Sequence, residues 1–350
     1  MILFALALVA FPITTEFVRP EFNARLRWKE VFESGLNQSG PEIFVRAGIF
    51  PRFEKILTGL ELSTRALNQD QSVLNNYFES KEIGLSQAYL GFQIDSAFSI
   101  EGLSVMLLAG KFSSPSMSSP IIYNSDIRPE GFFENLRFEF SSGRLLIAAT
   151  AAQYSLDQTA ENHFLSERQR RSWIFQQGIM ARRQINLETS VESSIFAYLF
   201  FRPSDRVRAI GVLRGNSSTQ RNYRPIEANL RFEAKPLSLF ASLAASFVWN
   251  PSTEDDQRGF WVQSSIGKKW RRDNFSFDVS YVYSEPDVTM AALSEETLGF
   301  LNRKGPQIGL HYFPFDYLRT GVSYAHLATL SSSVNQRDRQ DLRGELELKF

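Results

Sequence analysis

The feature that most constrains this chain is an alternation of apolar and polar residues with period two, renewed in segment after segment. In residues 22–29, Phe22, Ala24, Leu26 and Trp28 fall on one face, and Asn23, Arg25, Arg27 and Lys29 on the other. Residues 226–235 repeat the pattern, with Ile226, Ala228, Leu230, Phe232 and Ala234 opposing Glu227, Asn229, Arg231, Glu233 and Lys235. Residues 237–249 and 275–283 follow suit, the latter with Asp278 on its polar face. The last ten residues set Leu342, Leu346, Leu348 and Phe350 against Arg343, Glu345, Glu347 and Lys349. Successive side chains of a strand point to opposite faces, so this pattern specifies strands with one apolar face.

Twelve weaker segments fill the intervals: 43–50, 56–63, 85–93, 103–111, 132–140, 145–153, 173–182, 191–200, 207–214, 260–267, 306–312 and 318–325. With the five clear ones they make seventeen. Single-chain bacterial membrane barrels have even strand numbers, so sixteen is expected, with fourteen and eighteen open. The connections at 50–55, 141–143 and 235–237 are short. Those at 64–84, 112–131, 154–172, 250–258, 284–305 and 327–341 are long and polar. Short turns at one end and long loops at the other suit an all-β, transmembrane antiparallel β-barrel whose partner is the lipid bilayer. Two helical turns are expected inside the loops, at 69–79 and 289–298.

A closed sheet of sixteen strands encloses an aqueous channel, where a charged inner face is solvated at little cost. Alternation then assigns Arg25, Arg27, Lys29, Arg46, Lys111, Glu227, Arg231, Glu233, Lys235 and Asp278 to the lumen wall, with Arg343, Glu345, Glu347 and Lys349. There are 31 phenylalanines and 11 tyrosines. Trp28, Phe50, Phe53, Trp173, Trp249, Trp261, Tyr281, Tyr283, Tyr312 and Phe313 are candidates for aromatic girdles at the membrane interfaces. Residues 112–131 combine serines and prolines with Ile121, Ile122 and Tyr123. An exposed loop has no need of those three. Folded inward they would be buried, and Asp126, Arg128 and Glu130 would form a constriction; the alternative is an outward loop packed on its neighbours.

Other classes find little support. Thirty-eight basic and 38 acidic residues give zero net charge, which argues against a nucleic-acid partner. With no cysteine and only His163, His311 and His326, neither a cofactor nor a metal site is expected. The rival is a barrel enzyme, a lipase or protease, which would draw on His311, His326 and Ser323 although no motif marks the serine. A substrate-selective or structural barrel is the other alternative. The apolar run at residues 1–13 is read as the core of a signal, giving a leader over 1–20 and one barrel over 21–350.

The chain ends on an alternating strand closed by an aromatic, with Leu346, Leu348 and Phe350 outward. This ending resembles the terminal signal read by the outer-membrane assembly machinery. Residues 85–90 (Leu-Ser-Gln-Ala-Tyr-Leu), Gly110-Lys111-Phe112 followed by Pro115, and Asp126 leading to Pro129-Glu130-Gly131 resemble the putative porin family of Gram-negative bacteria. That resemblance implies a passive outer-membrane channel for small hydrophilic solutes or ions. Ala241 and Ala245 are candidates for a contact between copies, leaving monomer and homotrimer both open.

Overall fold

The structure, a computed structural model, describes residues 18–33, 36–64, 84–97, 100–116, 119–124, 128–140, 144–155, 173–203, 205–218, 222–235, 240–267, 270–331 and 336–350. Sixteen strands run in chain order. The first eight are β1 (Val18–Glu33), β2 (Leu36–Phe53), β3 (Ile56–Ser63), β4 (Gly84–Asp95), β5 (Leu103–Lys111), β6 (Glu130–Phe140), β7 (Leu145–Ser155) and β8 (Trp173–Asn186). The others are β9 (Thr189–Phe201), β10 (Ile226–Ala234), β11 (Ala241–Trp249), β12 (Arg258–Gly267), β13 (Asn274–Ser284), β14 (Arg303–Phe315), β15 (Leu318–Thr329) and β16 (Arg339–Lys349).

Each strand pairs antiparallel with its chain neighbours, and β16 returns to β1, closing the barrel. At this seam Arg25 lies opposite Glu347, Arg27 opposite Glu345, and Leu26 opposite Leu346. Backbone bonds exchanged by Phe22 and Phe350, at 3.0 and 2.9 Å, complete it. Closure leaves no strand edge, which hydrocarbon could not solvate. The alternation sorts the side chains as expected. Leu26 and Trp28 are exposed outward on β1, while Arg27 and Lys29 between and beside them are buried inward.

Two-residue turns join β2 to β3, β8 to β9 and β14 to β15, all at one end of the barrel. The long connections 112–129, 202–225 and 285–302 lie at the other end. Sixteen of the seventeen expected segments are strands. The exception is 207–214, which belongs to a helix, α1 (Asp205–Leu213). Val207, Ile210 and Gly211 face inward at helical spacing, whereas Leu213, which a strand would place with Val207, is 70% exposed. The expected turn within 289–298 is a short 3-10 helix, Glu296–Leu298. The turn at 69–79 and nearly all of the leader and of the loops 64–84 and 154–172 fall outside the described residues.

An apolar core sits inside the barrel, toward the long-loop end. It joins inward residues of the wall (Phe133, Tyr154, Phe196, Tyr198, Val248, Val282) to buried residues of the three long connections. Trp261 and Phe313 point inward as well, the former packed against this core and the latter against the Trp270 ring. The Phe50 ring lies over Gly59, also inward. These three leave the expected girdles, because parity decides orientation and aromaticity does not. Trp28, Trp249 and Tyr281 stay outward and exposed.

Candidate pore constriction

The infolded segment begins at a glycine. Gly110 has φ +120°, and a Cβ there would stand 2.3 Å from the Ala88 carbonyl oxygen, so only glycine fits. The chain then leaves β5 toward the interior. Phe112 is buried among the rings of Tyr89, Phe133 and Tyr154, with centroids at 6.3, 6.4 and 6.1 Å in edge-on geometry. Burying such a ring contributes roughly 1.5–3 kcal/mol.

The serines that follow are tied to successive strands of the inner wall. The Ser113 N–H donates to Gln87 of β4 at 3.2 Å, and Ser114 shares a 3.2 Å hydrogen bond with the Tyr154 hydroxyl of β7. Gln176 of β8 donates to Ser116 at 2.8 Å. The Ser119 N–H donates to Glu227 of β10 at 2.6 Å, and Tyr198 of β9 donates to the other oxygen of that carboxylate at 2.6 Å. The segment therefore spans the inner face from β4 to β10. Ile121 and Ile122 are buried in the core, and burial pushes the Tyr123 hydroxyl well above the ordinary tyrosine range.

Two further connections lock onto this one. The Asn124 N–H donates to the Leu293 carbonyl at 2.7 Å, and the Glu295 N–H to that of Pro120 at 2.8 Å. Asn216, just past α1, donates to the carbonyls of Pro286 and Thr289 at 2.6 and 2.8 Å and accepts from the Ala291 N–H at 2.9 Å. Asp287 accepts from the Ser217 N–H at 3.1 Å and from the Ser217 hydroxyl. Val288, Met290, Leu293 and Leu301 are essentially inaccessible. Three connections thus fill the β5–β13 side of the loop-end lumen. The polar appearance of 284–305 masks this, but Val288, Met290 and Leu293 carry the same signal as Ile121 and Ile122.

The remaining inner wall is charged. Arg27 lies 3.2 Å from Glu345 and 3.4 Å from Glu42. Arg319 pairs with both Glu345 and Glu347, and Asp341 bridges Arg339 and Arg343 at 2.8 and 2.5 Å. The guanidinium groups of Arg25 and Arg46 lie over the Phe44 ring at 5.1 and 4.9 Å, with Glu61 3.6 Å from Arg46. Lys29 is buried on the same face. Across the barrel Arg231, inward and accessible, is in register with Glu192; Glu233 follows inward, and Lys235 lies beyond the strand end. Asp278 accepts from Ser265 and faces His311 at 3.5 Å.

Several expected positions differ. Glu227 is on the inner wall but fully buried beneath residues 112–129 rather than wetted. Lys111 and Glu130 pair in register on the outward parity of β5 and β6, Lys111 continuing the face of exposed Leu107 and Glu130 that of exposed Phe132. They therefore join neither the lumen wall nor the constriction. Asp126 lies outside the described residues; Arg128 is half-buried in the approach to β6. Ser323 and His326 have opposite parity, so the two do not meet as a catalytic pair would.

A closed sixteen-strand barrel with apolar outer belt, charged inner wall and infolded loops is the architecture of an outer-membrane channel. A family model described as Putative porin matches residues 45–227, more than half of the sequence, and the chain belongs to this family of bacterial outer-membrane porins. Among solved structures, OprB of Pseudomonas putida is similar at TM-score 0.62 and 10% identity, covering 97% of this chain and 96% of that one. OmpF of Salmonella typhi, in a complex with daunomycin, is similar at TM-score 0.57 and 12% identity, covering 95% and 97%. A mutant of the Rh. blastica porin is similar at TM-score 0.51 and 9% identity, covering 95% and 100%. No curated protein sequence matches.

Proposed function

We propose that this porin passes small hydrophilic solutes and ions passively, through an off-centre lumen narrowed by residues 112–129. The tether of Ser119 to Glu227, which holds that segment against the inner wall, is the observation that carries the reading. With the β5–β13 side filled, solutes run along the face carrying Arg25, Arg27, Arg46 and Arg319 beside Glu42, Glu61, Glu345 and Glu347. Opposite charges at 3–4 Å largely cancel at a distance, so discrimination by sign is weak and size dominates. Arg128 adds a positive charge at the narrowing. Leu346, Leu348 and Phe350 serve as the signal for the assembly machinery.

Liposome swelling with neutral sugars of graded mass tests this. Swelling should fall smoothly with solute size and show no saturation. Saturable uptake of one sugar, with exclusion of others of equal size, would contradict a general pore.

A further inference from the structure

The sequence between β12 and β13 reads Lys268-Lys269-Trp270-Arg271-Arg272-Asp273, with four basic residues around one indole. This connection lies at the short-turn end, opposite the infolded loops, where β14 turns into β15 and the chain ends after β16. Trp270 has φ +53° there, a left-handed conformation that is an outlier for so bulky a residue. Such strain persists only where the surroundings hold it, and it collects at functional sites such as ligand clamps.

The surroundings that hold this residue belong to other strands than its own hairpin. The indole crosses β14 and reaches β15 and β16. Its ring meets that of Phe313 edge-on at 5.6 Å and covers it, so Phe313 is buried although it points into the lumen. The Arg319 guanidinium of β15 stands 5.7 Å from the indole centroid, and the Lys349 ammonium at the end of β16 stands 5.6 Å from it. A half-buried aromatic ring thus lies on the inner wall at the turn-end mouth, flanked by two cations.

The two cations differ in what else they meet. Arg319 is held by Glu345 and Glu347, and Glu347 also accepts from Asn23 at 2.5 Å. Glu21, near the same end of β1, is taken by Arg19 at 3.0 Å. Lys349 is exposed on the inward parity of β16, in register with Asn23. Among the described residues its ammonium has the indole ring as its partner and no carboxylate. An exposed contact of this kind is weak, so the ammonium keeps its charge available to an anion.

We propose that Trp270 and Lys349 form a binding subsite for small organic carboxylates with a flat apolar body, at the turn-end mouth of the channel. The body lies against the indole in offset or edge-on contact, and the carboxylate accepts from the Lys349 ammonium. Arg319, already paired with two glutamates, positions the ring. The subsite rests on the channel reading and adds a chemical preference that the narrowing at residues 112–129 does not supply.

Planar-bilayer recording of the purified full-length protein tests this with three probes. Sodium benzoate carries both charge and ring, sodium acetate the charge without the ring, and benzamide the ring without the charge. Benzoate should lower single-channel current in a saturable way, and the other two at equal concentration should not. Lys349→Gln should raise the half-blocking concentration of benzoate about tenfold, the loss of one charge-assisted hydrogen bond. Trp270→Ala should do the same, and Trp270→Phe should keep most of the block. These two variants lie outside the strands and decide the matter if Lys349→Gln, beside the terminal assembly signal, does not assemble. Equal block by acetate or benzamide, or undiminished block in Trp270→Ala, overturns the proposal. Conducting channels that benzoate leaves unblocked defeat the subsite alone, whereas an inserted, unmodified barrel that passes no current defeats the channel reading.

Discussion

Ser119 and Glu227 are separated by 108 residues, yet the backbone N–H of the first donates to the carboxylate of the second at 2.6 Å. The same carboxylate takes the Tyr198 hydroxyl at 2.6 Å, so one buried side chain joins the infolded segment to two adjacent strands. Replacing Glu227 with leucine leaves two buried donors without an acceptor, a cost of about 1–3 kcal/mol each. The β10 ladder needs no side chain, so the barrel itself should persist. Glu227→Leu is expected to raise single-channel conductance and its noise in planar bilayers, with Glu227→Gln intermediate. Traces indistinguishable from the unmodified protein would show that the tether does not hold the narrowing.

A second latch is testable independently. Asn216 satisfies two carbonyls and one N–H of residues 285–302, all buried. Asn216→Ala orphans these groups, and limited proteolysis of intact cells or proteoliposomes should then cut within 202–225 or 285–302 several-fold faster. Unchanged cleavage rates would mean that apolar burial of Met290, Leu293 and Leu301 suffices without it.

How much of this was legible in the sequence follows from where water reaches. Phe22 to Lys29 and Ile226 to Ala234 alternate cleanly because one face meets lipid and the other a charged or polar lumen. Alternation fades along β9, where Phe196, Tyr198 and Phe200 point inward yet are apolar, since loops cover them and the lumen there is dry. For the same reason Val248 and Val282 occupy inward positions that a wetted pore would give to polar residues. Alternation predicts a strand where the chain forms α1, because nine residues containing Val207, Ala209, Gly211 and Leu213 fit a period of two about as well as one of 3.6. The inward fold of residues 112–129 left a trace in Ile121 and Ile122. Its anchor at Glu227 left none, because alternation gives a side chain's direction and not what will cover it.

The chain's end closes the barrel. Phe350 exchanges backbone bonds with Phe22, and its ring stacks on Tyr317 at 5.3 Å. Phe350→Ser keeps the backbone bonds and loses the stack and the outward aromatic. Folded, heat-modifiable protein in the outer membrane should drop several-fold, while barrels that do assemble conduct normally. Normal yield would count against the terminal signal.

Arg128 follows the buried Ile121–Tyr123 turn and is half-buried in the approach to β6, and in the proposed channel it adds positive charge at the narrowing. Arg128→Glu changes the local charge by two units, and a narrow, low-dielectric passage focuses that field. Reversal potentials in a salt gradient should move toward cation preference. A reversal potential identical to the unmodified protein's would place Arg128 away from the conduction path.

The central claim is an open, water-filled lumen beside the infolded loops, and planar-bilayer recording of the purified, unmodified protein addresses it most directly. Stepwise insertions should appear, each ohmic at low voltage, with conductance proportional to bulk salt and anion and cation permeabilities within a few-fold of each other. A barrel shown by heat-modifiability to be folded and inserted, yet electrically silent across that range, would contradict the account.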